Sequence, residues 1–170
     1  MNWMLREKIL ENLLSTERDR PEPPKSEDAC RARSCDHWSR PVLLERAAYL
    51  RELARFGDGS AGEAISESPG YCTMLAVRLR SGPAEIHEMF GGIFIVLAGN
   101  ATLVTGGTIE KREQAGWGEI RGSAIAGGSN QKLVAGDIVH VAAGMPHQIL
   151  LSGNDTLSYL LVKITKGEEP

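Results

Sequence analysis

Residues Gly136 to His147 read GDIVHVAAGMPH, and residues Glu85 to Gly99 read EIHEMFGGIFIVLAG. The first stretch is a Gly-Asp turn, a short apolar strand, the turn Ala143-Gly144-Met145-Pro146 and a histidine that opens a further strand, HQILLSG. The second is a strand, AEIHEM, then two glycines and the apolar run IFIVLAG. Side chains alternate between the faces of a strand, so Glu85 and His87 point the same way. Around these stretches lie YCTMLAVRLR, NATLVTGG, GEIRGSAIAGG, QKLVAGD and TLSYLLVKI, most of them separated by Gly, Asn, Asp or Pro. Roughly nine short strands with turns between them predict an antiparallel sandwich or barrel. No helix-length period interrupts the chain after Tyr71, which removes βαβ units.

Glycine divides the sequence. Residues 1–56 contain none, whereas all 19 lie between Gly57 and Gly167. The part before position 60 is dense in balanced charge, and Pro21, Pro23, Pro24 and Pro41 fall there. Residues 1–60 therefore read as an N-terminal helical extension, and 61–170 as the β domain. Within the extension, Leu5, Ile9 or Leu10, and Leu13 or Leu14 recur at helical spacing and predict a short helix over about 3–15. Residues 16–40 are rich in charge and proline without a period, and read as an irregular linker. A stronger helix is predicted over 41–56, with Ser39 as its cap, Pro41 in its first turn and Gly57 at its end. Its stripe of Leu43, Ala47, Leu50 and Ala54 should pack on the β domain or on a partner subunit. A homodimer is the expected assembly.

With 42% apolar and 24% charged residues, the chain is neither a membrane protein nor disordered throughout. No run approaches roughly 18 uninterrupted apolar residues. Arg6, Glu7 and Lys8 interrupt the start where a secretory signal needs an apolar stretch, so a cytoplasmic protein is expected. A net charge of −3 leaves no electrostatic footprint for nucleic acid. Three cysteines, Cys30, Cys35 and Cys72, argue against a disulfide framework. Cys30, Cys35 and His37 lack an obvious fourth zinc ligand and read as linker residues. Cys72 reads as a small buried side chain.

The residues that carry chemistry are Glu85, His87 and His147. If the face shared by Glu85 and His87 looks into a barrel, a carboxylate and two imidazoles form a competent site for Fe(II), Mn(II), Ni(II) or Zn(II). Such a set leaves about three positions open on an octahedral ion. An isolated Glu-x-His is also an ordinary solvent-facing pair.

Two longer patterns sharpen this choice. EIHEMFGGIFIVLAG resembles the first motif of the cupin superfamily, and GDIVHVAAGMPH resembles its second; 36 residues separate Gly99 from Gly136. The chain is also similar to a bacterial subgroup of small cupins with a Glu-x-His first motif, a GEIRG-like segment (here 118–122) and an AGxPHQ second motif. The resemblance covers about 71–165. It implies an all-β cupin double-stranded β-helix, a jelly-roll barrel, carrying the N-terminal α-helical extension outside. It also implies a divalent transition metal (Fe, Mn, Ni or Zn) held by Glu85, His87 and His147. The family's motif-one glutamate falls on Gly92, which has no side chain, and its motif-two proline falls on Ala142. The implied activity is that of an oxygenase, isomerase or decarboxylase acting on a small polar or acidic metabolite. The alternative is a non-catalytic cupin that binds a small ligand without metal.

Further residues are assigned from their positions. His140, between Val139 and Val141, is a candidate general base or a buried structural histidine. Arg121 is a candidate anchor for an anionic substrate, since guanidinium pairs bidentately with carboxylate, or a surface arginine. Glu88 should be solvated and Met89 should pack a pocket wall. Trp117 should shield a cavity mouth or pack a loop. Lys163 should snorkel from a sheet edge.

Overall fold

The computed structural model describes residues 36–167. The predicted helix over 3–15, Cys30, Cys35 and most of the linker lie outside the described residues. Among the described residues, one helix, α1 (Arg40–Phe56), precedes twelve strands. They are β1 (Ser60–Ser68), β2 (Tyr71–Arg78), β3 (Ala84–His87), β4 (Phe90–Thr105), β5 (Thr108–Glu110) and β6 (Glu113–Gly116). There follow β7 (Glu119–Gly122), β8 (Ala124–Ala126), β9 (Ser129–Val134), β10 (Ile138–Val141), β11 (His147–Leu150) and β12 (Leu157–Thr165).

The long strand β4 holds the two halves of the barrel together. Its first half pairs with β12 and β10, and its second half with β9 and β11, always antiparallel. One sheet therefore runs β1-β2-β12-β4-β10 and the other β9-β4-β11-β3-β7-β6. The bend between the halves falls at Gly99, where φ is +86° and a Cβ would sit 1.8 Å from the Thr156 carbonyl oxygen. Only glycine fits there. The sequence pattern alone splits β4 into two strands at this point. It also passes over β1, β5 and β6, whose residues are mostly small or polar.

Inward-facing residues of both sheets, among them Phe94, Val96, Leu103, Leu133, Val141, Ile149 and Leu157, form the core. A second cluster joins α1 to the outer face of the first sheet. Leu43, Ala47 and Leu50 meet Leu75, Val77 and Leu97, and Ala54 is buried on the same stripe. The stripe is thus buried within its own chain. Arg46 anchors the helix by a two-pronged ion pair, Nε to Glu63 Oε1 at 2.6 Å and Nη2 to Glu63 Oε2 at 2.7 Å. Ser39 stands at the cap position, but its side chain makes no capping hydrogen bond; its carbonyl accepts the Leu43 N–H instead. A third, smaller cluster of Ala84, Ile86, Ile109 and Ile120 lies where the two-stranded β5–β8 sheet packs on β3 and β7.

Three expectations need correction. His140 does not face the interior. It pairs with Ile93 on the outer face and is exposed, because Val139 and Val141 occupy the inward positions of β10. Lys163 is not at a sheet edge: β12 lies between β2 and β4, and Lys163 is on the inward face. Cys72 is half-buried and free of a disulfide. Among the described residues no helix is long and apolar enough to cross a membrane.

Leu50 is 3% exposed beneath α1. Its replacement by alanine should cost about 2–4 kcal/mol of unfolding free energy, as buried Leu→Ala changes do. Urea denaturation measures this; a loss under about 1 kcal/mol would mean the helix is not docked on the sheet as described.

Candidate functional site

Strand register builds the site. β3 lies between β11 and β7, and Glu85 is directly opposite His147 on one side and Arg121 on the other. His87 is opposite Glu119. Glu85-x-His87 therefore meets Glu119-x-Arg121 across one ladder, with all four side chains on the cavity face. His147 is set by the turn before it. The Gly144 N–H donates to the His87 carbonyl at 2.8 Å, and Gly144 has φ +77°.

These groups line a cavity of about 620 Å³ between the two sheets, with Arg78, Tyr159 and Lys163 on the opposite wall. One ligand atom each from Glu85, His87 and His147 lies within 4.8 Å of the others. The imidazole rings of His87 and His147 are 5.2 Å apart, centroid to centroid.

Both imidazoles are oriented through Nδ1. The His87 Nδ1–H donates to Glu119 Oε2 at 2.6 Å, and the His147 Nδ1–H donates to the Met145 carbonyl at 3.0 Å. A carboxylate and a carbonyl only accept, so in each neutral ring the proton is on Nδ1 and the lone pair on Nε2. A histidine that ligates a metal through one ring nitrogen commonly donates from the other in this way. Burial, the largest influence on His147, lowers its pKa below 6.5; the Met145 hydrogen bond opposes this and the nearby His87 adds to it. The ring is therefore held neutral.

Glu85 is contacted by two guanidinium groups, Arg121 Nε at 3.4 Å and Arg78 Nη2 at 3.9 Å. Both contacts are longer than a good hydrogen bond and leave lone pairs of the carboxylate free. Burial works against the charge on Arg78, but the Tyr159 hydroxyl, Glu85 and Asp58 outweigh it and raise its pKa. The donor set of two neutral imidazoles and one carboxylate fits a divalent transition ion.

Position 92 is closed. A Cβ on Gly92 would come within 2.9 Å of Leu161 Cδ1 and 3.3 Å of Phe94 Cε2. Beside it remains a void of about 10 Å³ with mostly apolar walls, at the lower limit for one water.

The structure brings Glu85, His87, His147 and Arg121 together and leaves His140 outside. Glu88 is exposed, as expected. Met89 packs over the Gly118 turn rather than on the cavity wall, and Trp117 is 83% exposed. Sequence reasoning missed Glu119, Arg78, Tyr159 and Lys163. The signal for Glu119 was present, since it precedes Arg121 by two residues and shares its face.

No protein-family model matches the chain, and no curated protein does. Solved structures do resemble it. A Thermus thermophilus protein is 17% identical, covering 69% of this chain and 95% of its own, with a TM-score of 0.49. The DMSP lyase DddQ of Ruegeria pomeroyi is 18% identical, covering 69% of this chain and 52% of its own, with a TM-score of 0.48. A cupin superfamily protein of Desulfitobacterium hafniense is 16% identical, covering 63% of this chain and 78% of its own, with a TM-score of 0.44. The fold of this chain is a double-stranded antiparallel β-helix of jelly-roll type, in which residues 85–99 form β3-turn-β4 and residues 136–147 form β10 and the turn into β11.

The buried neutral ring of His147 has a consequence for stability. Unfolded, the ring takes up a proton near pH 6.5, and folded only at lower pH. Its contribution is therefore complete above that value and is lost as pH falls. Urea titrations between about pH 7 and about pH 5 should show wild type losing stability relative to His147→Gln. A difference that does not change with pH would overturn the assignment.

Proposed function

We propose that this cupin-fold chain is a metal-dependent enzyme for a small acidic metabolite, of oxygenase, isomerase or decarboxylase type. Glu85, His87 and His147 would hold a divalent Fe, Mn, Ni or Zn ion. The observation that carries this reading is the fixing of both imidazoles through Nδ1, by Glu119 and by the Met145 carbonyl. A structural histidine needs no such paired presentation of two Nε2 lone pairs beside a carboxylate.

The ion would supply Lewis acidity, or a redox couple, to a substrate carbonyl or enediolate. The protein side chains have separate tasks. Glu119 keeps the His87 ring in one tautomer and orientation. Arg78 and Arg121 keep Glu85 aimed into the cavity. Arg121, whose side chain is 53% exposed, is at a position to meet an incoming carboxylate. Tyr159 replaces His140 as the candidate proton donor or acceptor: its hydroxyl accepts from Arg78 Nε at 3.3 Å and keeps its own proton to donate.

A second reading, a cupin that binds a small ligand without metal, is favoured by Gly92 and by the two arginines already on Glu85. Metal content separates the two. After reconstitution with each ion and desalting, wild type should retain about one equivalent of at least one ion, and His87→Ala and His147→Ala should retain little. Glu119→Gln should weaken metal affinity about 10- to 100-fold without removing a ligand. Wild type holding less than about 0.1 equivalent of every ion would overturn the metal reading and leave the second.

A further inference from the structure

The cavity wall carries one further cation, Lys163, close to the histidine cluster. Lys163 is on β12 directly opposite Gly92 of β4 and Cys72 of β2, on the inward face of a central strand. An apolar side chain is the ordinary occupant of such a place. Its neighbours make the lysine stranger still. Position 92, directly across the ladder, has no side chain, and Leu161 Cδ1 lies where a Cβ there would need room. The ammonium instead lies 4.6 Å from the centre of the Phe90 ring. That ring in turn stacks on His87, with centroids 4.5 Å apart.

The other charged groups of the cavity are matched. Arg78 and Arg121 share Glu85, and Glu119 accepts from His87. Asp58 accepts from the Ser60 hydroxyl at 2.8 Å and from its N–H at 3.0 Å. Among the described residues Lys163 alone of these has no acidic or hydrogen-bonding partner. A half-buried ammonium without a counter-ion is unfavourable, and an anionic ligand would relieve it.

We infer that Lys163 anchors a carboxylate of the substrate at the end remote from the reacting group, so that the cavity takes a small dicarboxylate. One carboxylate would lie at Lys163 and the other end of the molecule at Glu85, His87 and His147. This deepens the reading of the cavity as a substrate site, but its anchor is independent of the metal. Three cations and three acids line the cavity, so a divalent ion would leave a surplus of two positive charges. A dianion matches that surplus.

The test is calorimetric titration of malonate, succinate and glutarate into metal-free and Mn(II)-loaded protein, with acetate and butyrate as singly charged controls. At least one dicarboxylate should bind wild type tenfold or more tightly than either control. Lys163→Met should weaken that binding about tenfold or more, and Lys163→Arg should keep it within about threefold, as expected for a charged hydrogen bond. Thermal melts of both variants show that the fold is intact. Dicarboxylate binding unchanged in Lys163→Met, or controls that bind as well as the dicarboxylates, would overturn the proposal. So would absence of dicarboxylate binding to either form. Lys163-dependent binding to a protein that takes up no metal would sustain the anchor while ending the metal reading.

Discussion

The pairing of β3 with β11 on one side and β7 on the other is the constraint from which the site follows. A strand has a side-chain period of two, so a slip of one residue in β3 would turn Glu85 and His87 away from the cavity together. The register is held by apolar packing on one face and by backbone hydrogen bonds at the strand end. On the face away from the cavity, Ala84 and Ile86 are buried with Ile109 and Ile120 under the two-stranded β5–β8 sheet. At the end of β3, the Glu88 N–H donates to the Gly118 carbonyl, and the His87 carbonyl accepts from Gly144. Two apolar residues and two backbone hydrogen bonds thus aim the polar pair. The β5–β8 sheet, on the opposite face of β3, is part of what positions it.

Much of this was legible in the sequence, and the failures have physical causes. The stripe of α1 was legible because one helical face has one apolar period. The convergence of Glu85, His87 and His147 followed from two motif-like segments. His140 was misjudged although the parity argued the other way: with valines on both sides facing inward, the histidine between them faces out. Lys163 was misread because a lysine in an apolar run is usually explained by an edge, and sheet order is not written in a single strand. β1 was missed because SAGEAISES has few large apolar residues; it is an outer strand, with little of it fully buried. Glu119 was overlooked because its importance depends on which strand lies beside β7, a non-local fact.

Glu85 is asked to serve two kinds of partner, and the distances explain how it can. Arg121 and Arg78 approach at 3.4 and 3.9 Å, as charge neighbours rather than tight hydrogen-bond donors. A carboxylate offers about four lone-pair sites, enough to keep an electron pair directed at the histidines. Arg78 is mostly buried and also held by Tyr159, so it acts as a fixed positive wall. Arg121 is half exposed and free to turn toward a ligand. The same carboxylate thereby couples a static charge, a movable one and the imidazole pair.

The site also has a direction. Behind the histidines, Gly92, Phe94, Val141, Ala142 and Leu161 leave only a small void. Leu161 occupies the space that a side chain at position 92 would need, so that side cannot gain a polar ligand without repacking. In front, toward the open cavity, lie the charged groups of β2, β7 and β12. The imidazoles thus have an apolar wall on one side and the open cavity, with Arg121 and Lys163 on its lining, on the other. The apolar back wall removes competing water from one flank, which strengthens the electrostatic contacts on the other. Glycine at 92, with Leu161 packed where a side chain would stand, thus leaves the polar groups of the site on the cavity side, with Lys163 across the ladder among them.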